Sequence, residues 1–345
     1  MQILQRMKMN LFKKVACFTD IHFGLKSNSR LHNEDCMDFV DWFIATAKKE
    51  GCETAIFLGD WHHNRNSTDV GTMNYTVRAL EKLNGAFEKV HVITGNHDQY
   101  YKDKRDLHSL EYGRLFPNIN MVNGEFTEGG VTILPWLVGE EWKHVSNLKS
   151  KYIFGHFELP LFYMNAMVQM PDHGELQVSH FKHQEYVFSG HFHKRQNQDK
   201  IHYIGNAFPH NYADAWDDAR GMMILDWGGV PQYIDWPDCP KYRTIKLSRL
   251  IDEKDAIIKS KMYLRVTLDI DITYEEANFI KETFMKEHDI RELSLITEKD
   301  NLEGLIDDAT DVKFESVDQI VAEQIVALES GTYDKNTLLS IYNGL

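Results

Sequence analysis

The sequence contains few cysteines, and their spacing excludes several classes of site. Four cysteines are spread over 345 residues, and no two of them have the CxxC spacing of zinc knuckles or redox motifs. They are Cys17, Cys36, Cys52 and Cys239. This distribution argues against a disulfide framework and against a structural zinc held by thiolates, and it is typical of a reducing compartment.

Long apolar runs are also missing. No stretch reaches the roughly 18 apolar residues that a helix needs to span a bilayer, and the first eleven residues lack the apolar core of a signal peptide. We therefore expect no membrane segment and a cytoplasmic protein, in the host cytoplasm if the protein is viral.

An excess of basic residues, which many nucleic-acid-binding proteins have, is absent as well. The net charge is −14, and residues 301–345 carry 9 acidic against 2 basic side chains, so the other −7 is spread over residues 1–300. This acidity lowers the expectation of a DNA partner. It does not exclude one, because bound divalent cations would offset several carboxylates where a phosphate would lie.

Polar residues follow five short apolar runs in the first two thirds of the chain. Asp alone is an ordinary capping or turn residue, but five strand ends of this kind are improbable by chance. Because ligand sites form at the carboxyl ends of strands in α/β sheets, we expect these side chains to meet. The runs are 15–19 before Asp20 and His22, 54–58 before Asp60, 90–94 before Asn96, 152–155 before His156, and 186–190 before His191 and His193.

These seven side chains supply oxygen and nitrogen but no sulfur. Such a ligand set is typical of Mn²⁺, Fe²⁺ or Zn²⁺. Seven ligands are too many for one ion, so two ions are predicted, with Asp60 as the natural bridging carboxylate. Two metals about 3.5–4 Å apart can clamp a phosphate and activate water for in-line attack.

Neighbouring residues are candidates for the rest of the chemistry. His97 follows Asn96 and is placed to protonate a leaving oxygen as a general acid. Asp98 is predicted to orient the His97 imidazole, and His63 to contact the phosphate, whereas His62 has no assigned role. The remaining histidines that we considered are expected to be ordinary surface or core residues: His91, His144, His173, His180, His183 and His202.

Hydrophobic periodicity predicts helices over residues 32–50, 72–84 and 106–116. In the second of these, Met73, Val77 and Leu80 share the face expected to lie on the sheet. The Pro-rich stretch 236–240 marks a domain boundary. The predicted parts are a catalytic domain over 12–236, a small α/β accessory domain over 241–297, an acidic linker over 298–314, and two short helices over 315–345.

The strand-end motifs resemble the signature of the calcineurin-like metallophosphoesterases in order and spacing. The resemblance covers about residues 12–228 and implies an α/β/β/α sandwich of two sheets. It also implies that Asp20, His22, Asp60 and His193 hold one metal, that Asp60, Asn96, His156 and His191 hold the other, and that His97 is the general acid.

Within that superfamily the chain is most similar to SbcD-type catalytic subunits of recombination and double-strand-break repair nucleases, including those of bacteriophages. The resemblance implies a Mn²⁺-dependent DNA nuclease, acting as an exonuclease on duplex ends and as an endonuclease on single strands. It further implies a capping domain, a homodimer, and an SbcC-type coiled-coil ATPase bound to residues 315–345.

Two other functions stay open at this stage. The metal motifs alone also suit a phosphodiesterase or phosphatase that acts on nucleotides or phosphoproteins. A catalytically inactive scaffold is the third possibility, but it would be marked by lost ligands, and all seven are present.

Overall fold

The structure is a computed structural model, and it describes residues 10–164 and 168–297. The strands, numbered in chain order, are β1 (Lys14–Phe18), β2 (Thr54–Leu58), β3 (Lys89–Ile93), β4 (Ile119–Val122), β5 (Phe126–Glu128), β6 (Val131–Leu134), β7 (Tyr152–His156), β8 (Tyr186–Gly190), β9 (Gln196–Gln198), β10 (Ile201–Tyr203), β11 (Gly221–Asp226), β12 (Gln232–Asp235), β13 (Lys241–Lys246), β14 (Met262–Leu268) and β15 (Ile290–Thr297). The longer helices are Arg30–Lys49, Val70–Ala86, Leu247–Ile257 and Tyr274–Glu287.

Two six-stranded sheets form a sandwich, which confirms the predicted fold. The first has the order β12-β11-β1-β2-β3-β4 and the second β5-β6-β7-β8-β10-β9. In the first sheet β1 to β4 run parallel, and in the second β6, β7, β8 and β10 do. Parallel strands end at the same edge of a sheet, so each sheet delivers its strand ends together.

Strands β1 and β2 are buried on both faces because each sheet face meets a different layer. Val15 and Cys17 lie in the core between the sheets, opposite Tyr152 and Phe154 of β7. The alternate residues of β1, such as Phe18, pack on the helices outside. This double burial explains the continuous apolar runs seen in the sequence.

Two helices cover the outer face of the first sheet. Arg30–Lys49 begins at Ser29, whose side chain accepts a hydrogen bond from the His32 N–H. Val70–Ala86 begins at Asp69, which accepts two backbone N–H bonds. Both helices contribute apolar side chains to the core on that face.

Our prediction of which face of the second helix is buried is partly wrong. Leu80 is buried, but Met73 and Val77 are 44% and 37% exposed, and Val70 is 77% exposed. Small residues cover the sheet instead, among them Thr76 and Ala79. The three exposed side chains therefore form an apolar strip at i, i+3 and i+7 on the solvent side.

The helix predicted over 106–116 is also wrong. Only Glu111–Leu115 is helical, and it is a short 3-10 segment. The chain before it pairs as a hairpin, in which the Tyr100 N–H donates to the Leu107 carbonyl and the Ser109 N–H to the Asp98 carbonyl. Backbone groups used in this pairing cannot enter a helix.

Residues 241–297 form a third sheet with its own core. Strands β13, β14 and β15 are parallel, with Leu247–Ile257 and Tyr274–Glu287 packed against them. The predicted strand, helix and strand are present, and β13 and Leu247–Ile257 precede them. Its assignment as a separate capping domain stays a prediction.

Two predicted parts, the acidic linker over 298–314 and the helices over 315–345, lie outside the described residues. Among the described residues, no helix is long and apolar enough to cross a membrane.

Candidate metal centre

The seven predicted ligands come together where the carboxyl edges of the two sheets meet. Strands β1, β2 and β3 bring four of them from the first sheet, and β7 and β8 bring three from the second. The junction is direct, because His156 Nε2 of the second sheet lies 3.5 Å from Asp60 Oδ2 of the first.

A first group of donors surrounds His22. Its Nε2 lies 3.9 Å from Asp20 Oδ1 and 3.7 Å from Asp60 Oδ2. The same atom lies 3.2 Å from His193 Nε2. These contacts join the four residues that the resemblance assigns to the first ion.

A second group surrounds Asn96. Its Oδ1 lies 3.2 Å from His156 Nε2 and 3.1 Å from His191 Nδ1. Donor atoms of Asp60, His156 and His191 also lie within 4.8 Å of one another. Asp60 thus belongs to both groups, as a bridging carboxylate must.

The residues fit a pair of divalent ions in chemistry and spacing. All donors are carboxylate or amide oxygens and imidazole nitrogens, which suit first-row metals. Ligand bonds of about 2.0–2.2 Å place neighbouring donors on one ion roughly 3–4 Å apart, and the contacts above fall in or near that range.

Burial is the largest influence on charge in this cluster. It raises the pKa of the Asp20 carboxyl, which His156 lowers and Asp60 raises, to about 7. It also raises the pKa of Asp60, but the imidazoles of His156 and His97 outweigh it and hold that pKa well below its usual value. Burial lowers the pKa of His156, yet Asp60 raises it to about 9. Asp60 and His156 thus favour each other's charged forms across the junction of the two sheets.

The backbone is strained at several of these positions. Asp20, His22, Asp60 and His191 all have positive φ, of 49°, 50°, 60° and 88°. Non-glycine residues rarely adopt this region, and such residues cluster at functional sites. A positive φ turns the chain sharply after the strand at each of these positions.

Two glycines allow the strand ends to approach one another. A Cβ on Gly59 would lie 2.5 Å from His156 Nδ1, and one on Gly95 would lie 2.1 Å from Asp60 Oδ1. Only a residue without a side chain fits at either position.

Asp98 has a different role from the one we predicted. It makes no hydrogen bond to the His97 imidazole among the described residues. Instead, its two oxygens accept backbone N–H bonds of 2.9–3.2 Å from Asp60, Trp61, His62 and Gly95. Burial and the charge of Asp60 raise its pKa to about 6, against the lowering by these N–H groups. Asp98 thus positions the loop that carries Asp60.

The His97 imidazole is oriented by a backbone carbonyl. Its Nδ1 donates to the His63 carbonyl oxygen at 2.8 Å, and its backbone N–H donates to Asp60 Oδ1 at 2.9 Å. Its ring stacks on the His63 ring at 5.5 Å. Because Nδ1 is occupied, Nε2 is the atom that can exchange a proton.

Several other histidines have ordinary structural surroundings. His62 is buried, with Nδ1 2.7 Å from Ser109 Oγ and Nε2 3.0 Å from Thr76 Oγ1. His91 bonds to Asn120, and His144 pairs with Glu125. None of these contacts involves a predicted metal ligand.

Sequence reasoning missed two residues that lie against the cluster. Glu158 Oε2 accepts a hydrogen bond from His191 Nε2 at 3.1 Å, so it orients the imidazole through the ring nitrogen that does not face Asn96. Its position two residues after His156 was the available signal. His210 packs against the rings of His22 and His193, but it lies in a loop that follows no ligand strand, and no spacing pointed to it.

The chain is similar to several known proteins. Residues 13–195 match the family described as calcineurin-like phosphoesterase. The exonuclease subunit 1 of Enterobacteria phage T4 is 26% identical over 348 residues, covering 96% of this chain and 98% of that protein. A dimetal phosphatase from Danio rerio aligns with a TM-score of 0.39 and 12% identity over 62% of this chain and 92% of its own. The nuclease MPE of Pseudomonas putida aligns with a TM-score of 0.29 and 17% identity, and the alignment covers 55% of this chain and 66% of that nuclease.

The role of Asp98 can be tested with Asp98→Asn. An amide can accept through one atom only, so at least one buried backbone N–H loses its partner and faces an NH₂ group. We expect the free energy of unfolding, measured with denaturant in the presence of chelator, to fall by about 2–3 kcal/mol. Mn²⁺ binding should weaken too, because Asp60 is no longer held.

Asp69→Asn is the matched control. Asp69 also accepts two backbone N–H bonds, but through Oδ1 alone and at an exposed helix start, where Asn caps as well as Asp. Equal stability of the two variants would contradict the positioning role of Asp98.

Proposed function

The chain belongs to the calcineurin-like phosphoesterase family, as its strand-end motifs predicted, and on that premise we propose that it is a metal-dependent DNA nuclease. We propose exonuclease activity on duplex ends and endonuclease activity on single strands, within a cytoplasmic recombination or repair complex. The observation that carries the proposal is the full-length similarity to a phage exonuclease subunit, which extends well beyond the phosphoesterase segment.

The proposed cofactor is a pair of Mn²⁺ ions. Asp20, His22, Asp60 and His193 would hold one ion, and Asp60, Asn96, His156 and His191 the other. When bound, such ions neutralise the charge of a phosphodiester and make an attacking water more acidic.

Residues of the chain itself supply the remaining functions. His97 would protonate the leaving oxygen from Nε2, since its Nδ1 is held by the His63 carbonyl. His63 stacks beside it and would contact the phosphate. Glu158 and Asp98 would act as positioning residues, the first for His191 and the second for the Asp60 loop.

The experiment is a comparison of two substrates with Mn²⁺ and the purified chain. Linear duplex DNA and a chromogenic phosphodiester are incubated in parallel with the wild-type protein and with His97→Asn. We expect wild-type cleavage of DNA, and a loss of roughly 10²–10⁴-fold in its rate in the variant, because the leaving oxygen is no longer protonated. Calorimetry should still detect both Mn²⁺ ions in the variant.

His144→Asn is the control, since this exposed imidazole pairs with Glu125, which is not a predicted site residue, and it should cleave DNA at the wild-type rate. Fast turnover of the small ester with intact DNA would contradict the nuclease proposal and favour a nucleotide or phosphoprotein phosphoesterase. No turnover of either substrate, with both ions bound, would favour a scaffold. Loss of an ion in His97→Asn would make His97 a ligand.

We propose that the chain forms a homodimer through helix Val70–Ala86. The exposed apolar strip of Val70, Met73 and Val77 supports a second copy as the partner. Replacing Met73 and Val77 by Glu should convert the dimer to a monomer in sedimentation velocity, because paired carboxylates would be desolvated in the interface.

Phe279→Glu is the matched control for the dimer. Phe279 is 71% exposed on a different helix, so its replacement should leave the dimer intact. A monomeric wild-type protein, or a dimer that survives both Glu substitutions, would refute this interface.

We also propose that an SbcC-type ATPase binds residues 315–345. Apolar residues recur there at helical spacing, with Val317, Ile320, Val321 and Ile325 on one predicted face. Ile320→Asp with Ile325→Asp should abolish co-purification with the ATPase and leave Mn²⁺-dependent cleavage by the isolated chain unchanged. Gln319→Asp adds one negative charge to the opposite, polar face of the predicted helix and should retain the ATPase. Retention by the double variant would exclude this docking mode.

A further inference from the structure

His210 is a buried histidine whose ring nitrogens have no partner. It is 1% exposed, and neither Nδ1 nor Nε2 has a hydrogen-bond partner among the residues that the structure describes. Leaving a buried polar atom unpaired costs about 1–3 kcal/mol. A side chain with both nitrogens in this state requires an explanation.

The surroundings of His210 point to the metal centre. Its ring lies 5.4 Å from the rings of both His22 and His193. One donor nitrogen from each of these three histidines lies within 4.8 Å of the other two. Two of these three histidines, His22 and His193, are proposed ligands of the first ion.

The loop that carries His210 is held in place independently of the ring. The His210 N–H donates to Asp214 Oδ2 at 2.9 Å. Asp214 pairs with Arg220 at 3.3 Å, and Arg220, 1% exposed, also bonds to Asn206. The backbone is thus anchored by buried polar contacts, so the ring needs no hydrogen bond of its own to stay in place.

The neighbouring His32 provides a contrast. It packs against His210 at 5.5 Å and is equally buried, but its Nε2 donates to the His22 carbonyl oxygen at 3.0 Å. Of these two histidines, only His210 has both ring nitrogens without a hydrogen-bond partner among the described residues.

We propose that His210 is an additional ligand of the ion held by Asp20, His22, Asp60 and His193. This ion then has three imidazoles, whereas the ion at Asn96 has two. A nitrogen-rich ligand set disfavours Mg²⁺, which prefers oxygen, and favours Mn²⁺ and later first-row metals. The inference rests on the proposed pair of ions and not on DNA as the substrate.

The test is metal binding by the full chain, without any activity measurement. Calorimetry of metal-free protein with Mn²⁺ should give two binding events in the wild type. In His210→Gln one event should weaken at least about tenfold, and the other should not change. With cadmium, NMR should show one of two resonances moving to lower frequency as an oxygen donor replaces the imidazole nitrogen.

His91→Gln is the control, because His91 is also buried but bonds to Asn120 away from the cluster. A folded His210→Gln protein with two unchanged Mn²⁺-binding events and unchanged cadmium resonances would overturn the assignment of His210 as a ligand. It would not affect the proposed function. A wild type that binds no ion would overturn the proposed function as well.

A measurement on the wild type covers the case in which His210→Gln does not fold. With isotopically labelled histidine, one cadmium resonance should show couplings to three imidazole nitrogens and the other to two. Couplings to only two nitrogens at both resonances would refute the proposal.

Discussion

The site depends on one buried carboxylate that is not itself a predicted ligand. Asp98 accepts the backbone N–H groups of Asp60, Trp61, His62 and Gly95. These N–H groups lie on the two loops that carry Asp60 and Asn96. Asp98 therefore holds the two loops, and the two proposed metal ligands on them, in place relative to each other. Hydrogen bonds to a charged acceptor are among the stronger ones in proteins, and here they hold a loop in which Asp60 has a φ of 60°.

Charge explains why such a cluster can exist before an ion binds. Two carboxylates this deeply buried would repel each other, and burial raises the pKa of Asp20 to about 7. The raised pKa of His156, about 9, places a proton between the sheets at neutral pH. A positive charge on His156 offsets the nearby buried carboxylates, as a bound cation would.

The seven strand-end residues could be predicted from the sequence, because double burial leaves continuous apolar runs and these residues follow them directly. The two-sheet sandwich was predicted from the resemblance to the calcineurin-like phosphoesterases. The sequence did not allow contacts that depend on loop paths to be predicted. The hairpin at Tyr100 and Leu107 prevents a helix that periodicity favours. The role of Asp98 depends on backbone donors, which have no sequence signal. His210 follows no strand of the motif series, so only the fold brings it to His22.

The accessory sheet is connected to the site through the turn that follows His22. Lys26, Ser27 and Asn28 have φ of 54°, 56° and 62°, a left-handed turn that costs about 1 kcal/mol or more per residue. Contacts of Lys26 with the accessory sheet offset part of this cost. Lys26 Nζ lies 3.6 Å above the Tyr263 ring of β14 and bonds to the hydroxyl of Tyr242 on β13. Because this turn begins four residues after His22, the contacts with the accessory sheet lie close in the chain to a proposed metal ligand.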